Sequence, residues 1–301
     1  MTVMEALNWG GNKLKENLKE ENTSPLLDAQ IILAKVLEVP TAYLFTHFDE
    51  EIKNSTLEKF QKLIQRRGQQ EPVAYITGEK EFYKRTFFVN PNVLIPRPTT
   101  ETLIDLVLKE IKNSQKKIWF ADIGTGSGAI AITLAAETGQ PVIASDISNE
   151  ALAVTKQNAE LNHVAELIDF RRGDLLSPLI KIFQALKNNQ TAEDCSHLII
   201  CANLPYLTNN QWLGLNSGVK NFEPALALTA GHDGLDLYWR LLRDLKKHRQ
   251  VFPPVLSLFF EIDPGQTIKI ISMIKHDFPE TKPQIIKDLE GFDRVVIIPK
   301  I

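Results

Sequence analysis

Apolar positions in the first eighty or so residues recur at helical spacing. Ser24-Pro25 is a helix start, and Leu26, Leu27, Ile31, Ile32 and Leu37 follow it on a partly amphipathic pattern. Leu57, Phe60, Leu63 and Ile64 repeat the same spacing among polar residues. The pattern predicts a small helical bundle over residues 1–80, and it serves packing or substrate recognition equally well. Glu79-Lys80-Glu81-Phe82-Tyr83 then leads into Phe87-Phe88-Val89, and Asn90-Pro91-Asn92 separates that run from Val93-Leu94-Ile95. Residues 81–100 are therefore expected to form a short hairpin or an irregular connector. Pro96-Arg97-Pro98 stops the last run from continuing as an internal strand. Thr99-Thr100-Glu101 opens a helix through Leu103, Ile104, Leu106 and Val107, with either threonine as its cap.

From residue 117 the period changes. Ile118-Trp119-Phe120-Ala121, Val142-Ile143-Ala144 and residues 198–202, 256–261 and 295–298 are short strand-like runs. Another strand is expected before Gly173-Asp174. Helical segments at 129–134 and 151–154 lie between the runs, so residues 101–301 predict an open α/β sheet with crossover helices.

Composition narrows the class. The chain has 301 residues, 44% hydrophobic and 24% charged, enough to bury a substantial core and to form two domains. No apolar stretch reaches the ~18 residues of a membrane span, and Met1-Thr2-Val3-Met4-Glu5 lacks the basic-then-apolar order of a secretion signal. Cys195 and Cys201, the only cysteines, make no disulfide framework, so a reducing cytoplasm is the expected compartment. A net charge of -3 and a pI near 6.1 give no global nucleic-acid signature. Arg66-Arg67, Arg171-Arg172 and Lys246-Lys247-His248 read as ordinary solvated faces. A protein substrate suits this balance better, with a specific RNA still open. The histidines are scattered without metal-ligand spacing, so no metal is expected.

Two segments carry the candidate chemistry. In Ala121-Asp122-Ile123-Gly124-Thr125-Gly126-Ser127-Gly128 the glycines allow a tight turn and close approach of a ligand. Gly124, Gly126 and Ala129 fit a loose dinucleotide pattern, which alone does not separate NAD from S-adenosylmethionine. A Walker phosphate loop is excluded by the missing Lys-Ser/Thr ending. Asp146, after the second strand, is placed to accept from ribose hydroxyls. Asp174 is placed to accept from an adenine amino group, with Leu175 packing by the base. Asp122 has two candidate tasks, holding the loop or facing the positive end of a methionine portion.

The second segment, Asn203-Leu204-Pro205-Tyr206, follows the strand at 198–202 and falls on the same sheet edge. The Asn203 side-chain oxygen and the Leu204 carbonyl can accept from a planar NH2 group, Pro205 restricts the turn, and Tyr206 can pack on the target. A sulfonium already activates its methyl, so alignment replaces a conventional base. Together the segments predict methyl transfer to an amide or amine nitrogen.

At these residues the chain resembles the protein-(glutamine-N5) methyltransferases that act on peptide chain release factors. The resemblance runs over nearly the whole chain. It includes Ile95-Pro96-Arg97-Pro98-Thr99-Thr100-Glu101, residues 122–130, Asp146, Asn203-Leu204-Pro205-Tyr206, Phe222-Glu223-Pro224, Asp233-Gly234-Leu235 and residues 287–294. It implies a seven-stranded S-adenosylmethionine-dependent methyltransferase fold, a small amino-terminal helical domain that helps hold the release factor, and a connecting hairpin. The implied target is the glutamine of a Gly-Gly-Gln segment. The resemblance assigns Gly124, Thr125, Gly126, Ser127, Gly128, Asp146, Asp174, Leu175 and Asn203 to the cofactor, with Asp122 beside them. Asn203, Leu204, Pro205 and Tyr206 fall to the glutamine, and Arg97 and Glu101 to the substrate channel. Three positions depart from the family pattern: Leu204 stands for a proline, Thr99 for an aspartate, and Phe222 for the commoner tyrosine. A cytoplasmic monomer without membrane or stable nucleic-acid partner is expected. Asn-Leu-Pro-Tyr also resembles the target-amine motif of enzymes that dimethylate ribosomal RNA adenines, so adenine methylation of RNA or DNA is the first alternative. A non-catalytic cofactor-binding protein and an NAD-dependent oxidoreductase are the others.

Overall fold

Helical spacing at the start of the chain becomes α1 (Val3–Asn17), α2 (Pro25–Leu37), α3 (Thr41–Leu44), α4 (Asn54–Gly68) and α5 (Val73–Thr77). The hairpin β1 (Glu79–Phe82) and β2 (Arg85–Phe88) follows, then α6 (Glu101–Ile111), β3 (Ile118–Ile123), α7 (Ala129–Thr138), β4 (Val142–Asp146), α8 (Asn149–Leu161), β5 (Ile168–Arg172) and α9 (Ser177–Asn188). The chain continues with β6 (His197–Ala202), α10 (Asn209–Gly214), α11 (Ser217–Phe222), α12 (Asp236–His248), β7 (Val255–Glu261), α13 (Thr267–Asp277), β8 (Gln284–Lys287) and β9 (Asp293–Ile298). This is a computed structural model, and it describes residues 1–18, 24–112, 117–188 and 196–301. Cys195 lies outside the described residues.

The chain divides into two compact units, Met1–Glu79 with Leu215–Glu223, and Lys80–Gly214 with Pro224–Ile301. In the first, Thr2 and Glu5 cap α1 reciprocally, and Pro25 opens α2 with the φ that a helix start needs. Gly10 lets helices approach closely, because a Cβ there would lie 2.8 Å from Phe60 and 3.2 Å from Ala29. Leu7, Leu14, Ile32, Leu33, Phe60 and Ile64 fill the core.

The second unit holds a sheet of order β5-β4-β3-β6-β7-β9-β8. Its first five strands are parallel, and β9 runs antiparallel to both neighbours. Parallel strands covered on both faces read as unbroken apolar runs, which is why β6 and β7 stand out in the sequence. The edge strand β8 is half exposed and carries no such run. Two apolar cores cover the faces, one around Ile200, Phe260 and Tyr238, the other around Phe120, Ile132 and Phe259.

The connector differs from its expected form. The hairpin turns at Tyr83-Lys84, where both residues have positive φ (48° and 60°), rather than around Asn90-Pro91-Asn92. Nothing in that dipeptide advertises a left-handed turn. The Tyr83 amide donates to Glu101 (2.8 Å) and its hydroxyl to Asp105 (2.7 Å), which offsets the backbone cost. Val93-Leu94-Ile95 forms no strand. The threonine cap also fails, since neither Thr99 nor Thr100 makes a capping bond and a short 3-10 turn at Pro98–Thr100 leads into α6.

Asn158, fully buried on α8, ties hairpin to sheet. Its Oδ1 accepts from the Phe88 amide (2.7 Å), and its Nδ2 donates to the carbonyls of Phe88 (2.9 Å) and Ser127 (2.8 Å). Asn158→Leu strands these backbone groups without water. Chemical denaturation should show a loss of about 3 kcal/mol, since each unsatisfied buried group costs ~1–3 kcal/mol; a loss below about 0.5 kcal/mol would remove Asn158 as the tie.

Candidate active site

A cavity of about 440 Å³ opens where β3, β4, β5 and β6 end, on the carboxyl edge at which open α/β sheets bind ligands. Gly124, Thr125, Gly126 and Ser127 form one wall, Asp146, Asp174 and Leu175 a second, and Asn203, Leu204 and Pro205 a third. The structure thus brings together most of the residues singled out from sequence.

The glycines have separate tasks. Gly126 (φ 56°) has nothing within 4 Å of where a Cβ would stand, so the turn leaves room for a ligand. Gly128 (φ 83°) is not in the wall; a Cβ there would meet Ile132 and Thr155 at 2.7 Å, so it serves entry into α7. Asp146 holds the turn from the next strand, accepting from the Gly126 amide on Oδ2 and from the Ser148 amide on Oδ1, each at 2.9 Å. Its carboxylate retains lone pairs for hydroxyl donors. Burial raises its pKa, and those amides oppose the rise.

Asp122 performs the first of its candidate tasks. It lies behind the wall, 1% exposed, with Oδ2 accepting from Thr125 Oγ1 (2.6 Å) and the Ala131 amide (3.2 Å). Its Oδ1 is buried without a partner, and burial pushes the carboxyl up to about 7 against the pull of those two bonds. Asp174 pairs with Arg240 of α12, and both line the cavity, so its acceptor capacity is shared. Leu175 takes a left-handed φ of 46°.

On the third wall, Asn203 Nδ2 donates to Thr100 Oγ1 at 3.1 Å. With its NH2 committed, the amide oxygen is the group left to accept. Leu204 packs beneath the glycine turn, its Cδ2 3.0 Å from a Cβ position at Gly124. The Leu204 amide donates to the Tyr238 hydroxyl (3.2 Å), a bond that a proline at this position lacks the hydrogen to make. That hydroxyl also reaches the carbonyls of Ala202 and Glu261. At the far end of the segment, Gln266 Nε2 donates to the Tyr206 carbonyl (2.8 Å) and the Asp233 carbonyl (3.1 Å). Gly234 has to lack a side chain, since a Cβ would stand 1.9 Å from the Tyr206 carbonyl oxygen.

Two residues expected on the substrate side do not line the cavity. Tyr206 is not among the cavity-lining residues; it feels the charges of Glu261, Arg294 and Arg97, and burial pushes its hydroxyl up to about 12. Glu101 is also outside the wall, its carboxylate used by the Tyr83 amide, whereas Arg97 lines the cavity. Tyr238, Glu261, Gln266 and Arg240 escaped the sequence reading. A lone glutamate closing the apolar run of β7 was the available signal for Glu261. The others lie in helices, or beside one, whose apolar spacing hides a polar task.

A model of the PrmC N-terminal domain matches residues 5–78, and a model of ribosomal protein L11 methyltransferase (PrmA) matches residues 97–193. A release factor glutamine methyltransferase of Bacillus cereus is 38% identical over 299 residues, covering 98% of both chains. The chain belongs to the release factor glutamine methyltransferase family. The Bacillus subtilis member is 34% identical, covering 98% of this chain and 96% of its own. Among solved structures, the hMettl16 catalytic domain in complex with MAT2A 3′UTR hairpin 6 shares the fold, with a TM-score of 0.56 at 15% identity over 82% of each chain. Among the described residues no helix is long and apolar enough to cross a membrane, and no cluster of three or more side chains suits a metal ion.

The cofactor is S-adenosylmethionine, and the cavity fits it: the open face of Gly126 admits it and Asp146 offers acceptors at its edge. Gly126→Val would place a β-branched side chain in a left-handed backbone and fill that open face. Calorimetric titration should show S-adenosylmethionine affinity lowered at least about tenfold, whereas unchanged affinity would move the cofactor elsewhere. Asp122 yields a pH test. Its pKa is raised from 3.8 to about 7, so the stability it contributes is full below 3.8 and is lost as pH rises through 7. The unfolding free energy of the wild type relative to Asp122→Asn should fall by about 4 kcal/mol between pH 4 and pH 8. A pH-independent difference would mean that Asp122 keeps an ordinary pKa.

Proposed function

We propose that the protein transfers a methyl group from S-adenosylmethionine to the side-chain N5 of glutamine in the Gly-Gly-Gln segment of peptide chain release factors. The carrying observation is Asn203 in the cavity wall with its NH2 committed to Thr100, one strand from the glycine turn. The cofactor's sulfonium supplies an already activated methyl group. The open face of Gly126 would give it room, Asp146 would accept from its ribose hydroxyls, and Asp174 and Leu175 would bound the base.

An amide nitrogen is a poor nucleophile because its lone pair is delocalised into the carbonyl. The Asn203 side-chain oxygen and the Leu204 carbonyl accept from the glutamine NH2, fix its direction, and stabilise the positive charge that grows as the nitrogen attacks. Pro205 and the Tyr238 and Gln266 clamps hold those acceptors still. An N-methylated amide cation is a strong acid, so its proton passes to water without a dedicated base.

Arg97 lines the approach. The helical unit, matching the N-terminal domain model over residues 5–78, is assigned to holding the release factor. A release-factor substrate places the enzyme in the cytoplasm.

Asn203→Ala should lower turnover on purified release factor by about 10²-fold, the cost of one transition-state acceptor, with S-adenosylmethionine affinity within about twofold. Mass spectrometry should place the added methyl on the Gly-Gly-Gln glutamine. Methylation of ribosomal RNA and not of the release factor would overturn the reading.

A further inference from the structure

Glu261 has no part in the steps above, yet its position is costly. It closes β7 after an apolar run, is fully buried, and leaves Oε2 without a hydrogen-bond partner. Its polar neighbours are hydroxyls. Thr99 Oγ1 lies 3.5 Å from Oε1, and the Thr100 hydroxyl also hydrogen-bonds the carboxylate. Burial raises its pKa, and the threonine hydroxyls together with the guanidinium groups of Arg294 and Arg97 oppose that rise and favour the charged form. Thr100 Oγ1 in turn lies 3.1 Å from Asn203 Nδ2.

These contacts fix a direction. A threonine hydroxyl has one proton to donate, and a carboxylate can only accept. Once Thr100 donates to Glu261, its oxygen is left as an acceptor, and Asn203 has to meet it with NH2. The Asn203 oxygen is then free for the substrate. A donor in place of the carboxylate would run the chain backwards. Thr100 would donate to the Asn203 oxygen, and the asparagine NH2 would face the glutamine NH2, donor against donor.

We propose that Glu261 is a positioning residue whose carboxylate sets the direction of the Glu261–Thr100–Asn203 hydrogen-bond chain and so presents the Asn203 oxygen to the substrate amide. The proposal rests on the methyl-transfer reading above. It also gives Thr99 and Thr100 the task that their failed caps leave open. Thr99 adds a neutral hydroxyl beside the buried carboxylate, where the family's aspartate would add a second negative charge.

The test is steady-state methylation of purified release factor by the full-length protein, comparing Glu261→Gln, Thr100→Val and the double variant. Glu261→Gln keeps size, removes the charge and offers Thr100 an NH2 as well as an oxygen, so the direction of the chain is no longer fixed. Its turnover at saturating substrates should fall about 10²-fold, with S-adenosylmethionine affinity within about twofold. Thr100→Val removes the intermediary, so adding Glu261→Gln to it should cost less than about threefold more. Wild-type turnover in Glu261→Gln, or the same cost with and without the Thr100 hydroxyl, would overturn the proposal. Thr100→Ser keeps the hydroxyl and should keep turnover. If Glu261→Gln does not fold, equal turnover of the Ser and Val variants is the overturning result. Lack of release-factor methylation by the wild type strikes the proposed reaction, whereas an active wild type indifferent to Glu261→Gln strikes this chain alone.

Discussion

A parallel strand pairs its backbone inside the sheet, but where it ends the ladder stops and the next loop leaves with amides and carbonyls still buried. In this protein the whole site consists of such loops. Each is held by a polar side chain from a neighbouring element: Asn158 on α8 for the glycine turn, Tyr238 on α12 for Leu204, and Gln266, just ahead of α13, for Tyr206. Function here depends on satisfying those groups. The side chains that tie these loops down also hold the acceptors aimed at a substrate.

The same edge concentrates buried carboxyls. Asp122 near the end of β3 and Glu261 at the end of β7 each leave one oxygen unpaired, and burial raises both. Their settings diverge. Asp122 has only a hydroxyl and an amide against its Oδ2, while Glu261 has hydroxyls and nearby guanidinium groups that sustain its charge. One carboxyl is pushed up to about 7 inside the loop scaffold; the other is also raised by burial, with hydroxyl bonds and nearby guanidinium groups opposing the rise.

Much of this was legible in the sequence, for reasons that differ by element. Strands β3, β4, β6, β7 and β9 are buried runs, and the glycine turn and Asn203 sit where those runs stop. Asp146 and Asn203 could be read because a polar residue at a strand end has little else to do. The hairpin could not be placed, because Tyr83-Lys84 adopts a left-handed turn that only tertiary bonds from α6 support. Glu101 was given to the channel for want of knowledge of that bond. Tyr238 and Gln266 were invisible for a related reason: their hydroxyl and amide act over more than thirty residues of separation, beyond any local pattern.

Leu204 was first a departure, a flexible residue where relatives of this pattern have a ring. Its backbone nitrogen carries a hydrogen, and that hydrogen is buried against the Tyr238 hydroxyl at the centre of the acceptor wall. A proline-bearing loop is silent to amide spectroscopy at this position. Here the loop contains its own observable nucleus, whose exchange rate and chemical shift report how firmly the acceptor segment is held and how that changes when cofactor or protein substrate arrives.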